Sequence, residues 1–170
     1  MQSPYVRLAV QSYTHYLKTG KPMQIPDGLP EELTNRQAGA FVTLYKNGNL
    51  RGCIGTISPI RNSLAEEIIM NAISAAFRDP RFPPINADEL PDIVCSVDVL
   101  ETPEPVIDMR TLDVKTYGVI VSRGNKRGLL LPNIGGVDTV EEQVDIARQK
   151  ADIAPHESFT LERFKVVRHT

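Results

Sequence analysis

The sequence contains no tryptophan, and aromatic residues make up only 6% of it, so no row of stacking platforms for nucleobases is laid out along the chain. Histidine occurs three times, as His15, His156 and His169, and cysteine twice, as Cys53 and Cys95. The cysteines lie far apart and form no CxxC pair, which leaves zinc without a ligand set and predicts no structural disulfide. No metal site is expected, and no motif names a cofactor. An excess of charge of one sign is missing too: 19 Lys and Arg stand against 21 Asp and Glu, for a net charge of -2. So balanced a field draws in neither nucleic acid nor an anionic membrane, and either partner would need a local basic patch. Apolar runs stay far below the roughly 20 residues needed to cross a bilayer, and the first residues carry no signal-peptide core. The expectation is a cytoplasmic protein with no membrane partner. A Gly-rich phosphate loop is also absent, because Gly135-Gly136 precedes a helix with no Lys-Ser or Lys-Thr behind it.

What is present is ordinary globular material. The 170 residues, 41% of them hydrophobic, suffice for one core and one domain over 1–170. Ser3-Pro4 reads as an N-cap followed by proline in the first turn, and Val6, Ala9, Val10, Tyr13, Tyr16 and Leu17 keep helical spacing until Gly20. Residues 21–36 are punctuated by Pro22, Pro26, Gly28 and Pro30 and predict a loop with a short turn at Glu31 to Leu33. Asn47-Gly48-Asn49 between Phe41–Lys46 and Leu50–Ile57 is a hairpin signal. Ser63, with Glu66 three residues on, opens a helix that Asp79-Pro80 stops. Ile93, Cys95, Val97 and Val99 alternate with Val94, Ser96 and Asp98 as a strand. The pattern then repeats: a hairpin around Gly124-Asn125, a helix opened by Thr139 and Glu142, and a last strand from Phe159 to Val167. Gly48-Asn49-Leu50-Arg51-Gly52 echoes Gly124-Asn125-Lys126-Arg127-Gly128, as a degenerate duplication would, although turn chemistry alone selects Gly and Asn at both tips. The fold class is α+β: two hairpin-helix-strand units forming a mainly antiparallel sheet packed by helices.

The stretch Leu50-Arg51-Gly52-Cys53-Ile54-Gly55 concentrates the chemistry. With Asn47-Gly48 as the turn, Cys53 lies opposite Val42 and Arg51 opposite Leu44; with Gly48-Asn49 as the turn, Cys53 faces Leu44. In both registers Arg51 and Cys53 share a face with Val42 and Leu44, and Gly52 and Gly55 leave open positions beside them. Arg51 would then favour the Cys53 thiolate or grip an anionic ligand, while the glycines admit a substrate to the backbone. The plain alternative is a small buried thiol and an arginine whose stem packs at an edge. No base neighbours Cys53 in sequence, and His156, in a loop, would have to approach in space.

Arg78-Asp79-Pro80-Arg81-Phe82 offers guanidiniums and a carboxylate at a helix end, or simply a helix stop with a local ion pair. Glu66 and Glu67 are adjacent on a helix and read as capping and solvated residues, not as a carboxylate pair. Arg123, Lys126 and Arg127 crowd a hairpin tip, which suits phosphate or ordinary surface.

Leu50-Arg51-Gly52-Cys53-Ile54-Gly55-Thr56 resembles the signature of the AMMECR family, and so do Asp79-Pro80-Arg81-Phe82-Pro83-Pro84 and Asp88-Glu89-Leu90-Pro91 leading to Cys95-Ser96-Val97. The resemblance runs from about Tyr5 to Val167. It implies an α+β fold with a larger and a smaller subdomain and the signature near the groove between them. It also implies company, a Memo-like protein and a radical S-adenosylmethionine protein, but no reaction. The reading taken forward is a small-ligand-binding or modifying enzyme domain, with Cys53 as the catalytic nucleophile and Arg51, Gly52, Gly55, Asp79 and Arg81 as ligand-binding residues. One alternative is a non-catalytic accessory domain docking on such a partner; a nucleic-acid-associated protein ranks third.

Overall fold

The computed structural model describes residues 1–170, and the chain divides into two compact units, Met1–Leu100 with Val167–Thr170, and Glu101–Val166. Helix α1 (Pro4–Thr19) starts where Ser3 accepts the Val6 N–H and ends at Gly20, whose φ of 70° is the left-handed cap that a residue without Cβ adopts at little cost. A single turn, α2 (Glu31–Thr34), interrupts the Pro-rich loop. Strands β1 (Ala40–Lys46) and β2 (Asn49–Gly55) form the first hairpin. Asn47 and Gly48 both take positive φ, 52° and 79°, so the turn is of the primed type that matches strand twist. Ser63 caps α3 (Leu64–Phe77) through the Glu66 N–H, and a 3-10 turn over Ala87–Asp92, held by a capping box between Asn86 and Glu89, leads into β3 (Ile93–Leu100).

The second unit repeats the plan. After the short β4 (Glu104–Pro105), β5 (Gly118–Arg123) and β6 (Lys126–Leu130) form a hairpin, α4 (Val140–Lys150) follows, and β7 (Thr160–Phe164) returns to pair with β5. The predicted last strand is in fact two: the chain breaks at Lys165, and β8 (Val166–His169) joins the other sheet. The two four-stranded antiparallel sheets run β2-β1-β3-β8 and β4-β7-β5-β6, so the order hairpin partner, central strand, returning strand occurs in both. No helix is long and apolar enough to cross a membrane.

In the first unit α1 and α3 cover one face of the sheet. Ala40, Val42, Leu44, Cys95, Val97 and Val99 are buried there with Val6, Leu8, Ala9, Leu64, Ile68, Ala72 and Ile73. The hairpin register differs from both expected ones. Lys46 pairs with Asn49 and Tyr45 with Leu50, but Leu44 then pairs with Gly52 and Thr43 with Cys53, leaving Arg51 as the extra residue of a β-bulge. One extra residue flips everything beyond it to the other face. Cys53 therefore stands beside Thr43, away from Val42 and Leu44, and Gly52 takes the core side.

That inward position explains the glycine. A Cβ at Gly52 would lie 2.1 Å from the Ala75 carbonyl oxygen of α3, and one at Gly128 would lie 2.1 Å from the Ala147 carbonyl oxygen of α4. In both units a helix backbone packs directly on a strand where there is no side chain to hold it off. Gly55 is equally filled, since its Cβ would meet the Phe41 ring at 2.3 Å. Neither signature glycine leaves the open space expected of it.

Candidate functional site

On the face of the first sheet away from the helices, Cys53 of β2, Thr43 of β1 and Ser96 of β3 lie in one row, with Gly55, Phe41 and Asp98 in the next. The Cys53 sulfur is 3.2 Å from Thr43 Oγ1, and the residue is half-buried. β2 is the outer strand of its sheet, so Cys53 has a main-chain N–H and C=O that no neighbouring strand meets. The segment after α3 meets them instead. Asp79 Oδ2 accepts the Cys53 N–H at 3.0 Å, and Arg81 Nη2 donates to the Cys53 carbonyl at 3.3 Å.

Asp79 and Arg81 are themselves a forked pair. Arg81 Nε donates to Oδ1 at 3.0 Å and Nη2 to Oδ2 at 2.8 Å, and the Arg81 main-chain N–H also reaches Oδ1 at 3.1 Å. These donors, Arg81 foremost, hold the Asp79 carboxyl down at about 2 although it is buried. Pro80 ends the helix, as the local reading expected, and the turn that follows clips the cysteine in place. Arg78 points elsewhere, with Nη2 3.4 Å from the Tyr16 hydroxyl.

Arg51 does not accompany the thiol. The bulge aims it at the 3-10 turn, where Nε and Nη2 donate to Glu89 Oε1 and Oε2 at 2.9 and 3.1 Å and Nη1 donates to the Pro83 carbonyl at 2.8 Å. Its side chain is 12% exposed and that of Glu89 11%. Arg51, helped by the Asn86 N–H and Lys46, holds the Glu89 carboxyl at about 2. The three stretches that carry the family resemblance are thus bound to one another: Arg51 fastens the Pro83-Pro84 loop and the Glu89 turn, and Asp79 fastens Cys53. Glu67 also differs from its expected solvated role. It is buried, with Oε1 accepting the Ile60 and Arg61 N–H groups and Oε2 the Thr56 hydroxyl.

The arginine that acts on the thiol is Arg81; Arg168 is bound across the sheet, to Asp98. Arg168, on β8, donates from Nε and Nη2 to the two oxygens of Asp98 at 2.8 and 2.9 Å, and the Asp98 side chain is 1% exposed. Asp98 raises the Arg168 pKa further, and Tyr45 and the Cys53 thiolate act in the same direction. For Cys53 burial dominates and pushes the thiol up, the Thr43 hydrogen bond and Arg81 pull down, and Asp98 and Asp79 push up again. With burial the leading influence, Cys53 is a thiol and not a thiolate at neutral pH. Reasoning from the sequence missed Asp98 and Arg168. Asp98 had a signal, as an acidic residue on the polar side of an alternating strand; Arg168, 70 residues away, had none.

Elsewhere, Arg123 pairs with Glu157 at 2.9 Å and Lys126 donates to the Asp152 carbonyl at 2.8 Å, so the basic hairpin tip is largely engaged by its own unit. An open cleft of about 470 Å³ is lined by Met23, Ile25, Ile69 and Met70 with Arg61 and Glu66, and it holds no nucleophile and no buried charge pair.

Comparison with known proteins places these residues in context. A family model described as AMMECR1 matches residues 6–169. A Thermotoga maritima protein is 54% identical over 171 residues, covering 96% of this chain and 98% of its own length. A Clostridium acetobutylicum protein is 55% identical over 99% of this chain, which spans only 36% of that longer relative. The crystal structure of an uncharacterized Pyrococcus horikoshii protein superposes with a TM-score of 0.89 at 36% identity, over 96% of this chain and 88% of that one.

Proposed function

The chain belongs to the AMMECR1 family, and on that footing we propose that it is a small-ligand-binding domain whose site is the helix-free face of the first sheet, with Cys53 as its reactive group. The observation that carries this reading is the way Cys53 is held. Its main chain is fixed on both polar atoms by Asp79 and Arg81, while the half-buried residue's sulfur has the Thr43 hydroxyl as its hydrogen-bond partner. The clip closes the free edge of β2 and at the same time fixes the backbone that carries the thiol, as a nucleophile positioned by groups other than itself requires. Intact-mass analysis after incubation with a small-molecule cell extract tests it. The expected result is a covalent adduct that maps to Cys53 and is absent from Cys53→Ser.

A second reading, the accessory domain that docks on a Memo-like or radical S-adenosylmethionine protein, is favoured by a different feature. Leu50, Tyr45 and Val94 are neighbours across β2, β1 and β3 on the same face and are exposed by 39%, 39% and 66%. Such an apolar row suits a protein surface. Under that reading Tyr45→Asp abolishes capture of the partner while Cys53→Ser leaves it intact.

A further inference from the structure

We propose that the open cleft of about 470 Å³ between the Pro-rich loop and α3 binds a small amphiphilic anion, an apolar chain with a single acidic head, and that Arg61 receives the head. The cleft belongs to the first unit alone and shares no residue with the Cys53 face, so the inference goes beyond the function proposed above and does not depend on it. Ile69 and Met70 lie three and four residues beyond Glu66 on α3, and all three share one side of the helix. Ile69 is 3% exposed and forms the floor. Met23 and Met70 pack against the core beside it and stay partly exposed, and Ile25 is 38% exposed. The volume falls in the range of small-ligand clefts, roughly 300 to 1,000 Å³, and the two flexible thioethers can settle around a chain.

Arg61 is built into this cleft by its main chain. Glu67 Oε1 accepts the Arg61 N–H at 3.1 Å and the Ile60 N–H at 2.9 Å, and Gln37 Nε2 donates to the Arg61 carbonyl at 3.0 Å. Glu67 is 1% exposed, and a carboxylate taken so far out of water must be met by donors; the donors it meets hold this loop. The exposed guanidinium of Arg61, by contrast, has no acceptor within the chain, unlike those of Arg51, Arg81 and Arg168. Glu66, the only acid in the lining, is turned to the loop, where Oε2 accepts the Asn62 N–H at 3.3 Å. A planar cation without a carboxylate, beside an apolar floor, matches a ligand with an acidic head and an apolar tail. A neutral ligand leaves the guanidinium unused, and a cationic one meets like charge.

The four methionines make the test direct, since Met23 and Met70 line the cleft and Met1 and Met109 lie elsewhere. Protein labelled with 13C at the methionine methyls is titrated with butyrate, hexanoate and octanoate, and with octylammonium, while the four methyl resonances are followed by NMR. The inference predicts saturable shifts of Met23 and Met70 with octanoate, none at Met1 or Met109, and an affinity that tightens about two- to fourfold for each added methylene. Octylammonium binds about tenfold more weakly or worse, and in Arg61→Gln the two probes come within about twofold of each other. Absence of shifts with octanoate overturns the inference and leaves the cleft to a protein partner. Equal shifts at all four methyls mean unspecific adsorption and overturn it too, as does octylammonium binding as well as octanoate; none of these results requires a variant to fold. A preference for octanoate that survives Arg61→Gln places the head elsewhere and is equally fatal. Met23 and Met70 resonances that move with protein concentration alone show a second copy seated on the cleft, which also contradicts the inference.

Discussion

The carboxylate of Asp79 accepts the main-chain N–H of Cys53 at 3.0 Å, and it does so from the turn that ends α3. A side chain therefore takes the place that a neighbouring strand would occupy on the free edge of β2. Replacing Asp79 by Ala leaves that N–H and the Arg81 fork without an acceptor and is expected to cost about 1 to 3 kcal/mol. Asp79→Asn, which keeps one acceptor oxygen, should lose less. Urea denaturation of the two variants checks the order.

Arg51 predicts a different phenotype. Arg51→Met leaves the nearly buried Glu89 carboxylate with only Lys46 and the Asn86 N–H and takes the donor from two proline carbonyls, so the denaturation midpoint should fall by the equivalent of about 3 kcal/mol. Cys53 alkylation in the folded variant should keep its wild-type rate, because Arg51 is not among the groups that act on the thiol. A large rate change with unaltered stability would return Arg51 to the site.

Gly52 and Gly128 should behave as a pair. Alanine at either puts a Cβ against a helix carbonyl at 2.1 Å, which the helix relieves only by moving. Each substitution is expected to destabilise by about 3 kcal/mol, the upper end of overpacking costs. Thermal melts that match wild type at Gly52→Ala would show that α3 does not pack there.

Acid should weaken the protein through Asp79 and Glu89. Both folded values, about 2, lie below the usual carboxylate range near 4, so between these limits the unfolded chain binds more protons. The stabilisation is fully present above about pH 5 and is lost as pH falls toward 2, by about 2 to 3 kcal/mol for each group. Glu89→Gln should flatten that part of the stability profile; an unchanged profile contradicts the assignment.

Local signals were legible in the sequence because their physics is local. Ser3, Ser63 and Thr139 cap helices by bonds three residues away, and Asn47-Gly48 sets a turn from its own φ angles. The register of β2 was not, since it hangs on one bulged residue. A hint lay in Ile54: an unbulged hairpin turns Ile54 outward and Cys53 inward, whereas the bulge lets the more apolar residue pack on the core and face Val42. Of the expected site, Cys53, Asp79 and Arg81 are brought together, Arg51 is carried off by the bulge, and Asp98 with Arg168 enters only through the pairing of β8 with β3. Nothing in Phe159–Val167 marked the break at Lys165 that moves β8 to the first sheet.

The most direct test is the modification of the two cysteines by iodoacetamide in the folded protein, followed by peptide mapping. Cys95 is buried at 5% exposure, with its thiol pushed up to about 12, and stays unmodified. Cys53 is modified at a measurable rate that climbs with pH beyond the range of a free thiol, because burial raises its pKa. If Cys53 reacts only after denaturation, at the same point as Cys95, the thiol is packing and the site on this face does not exist.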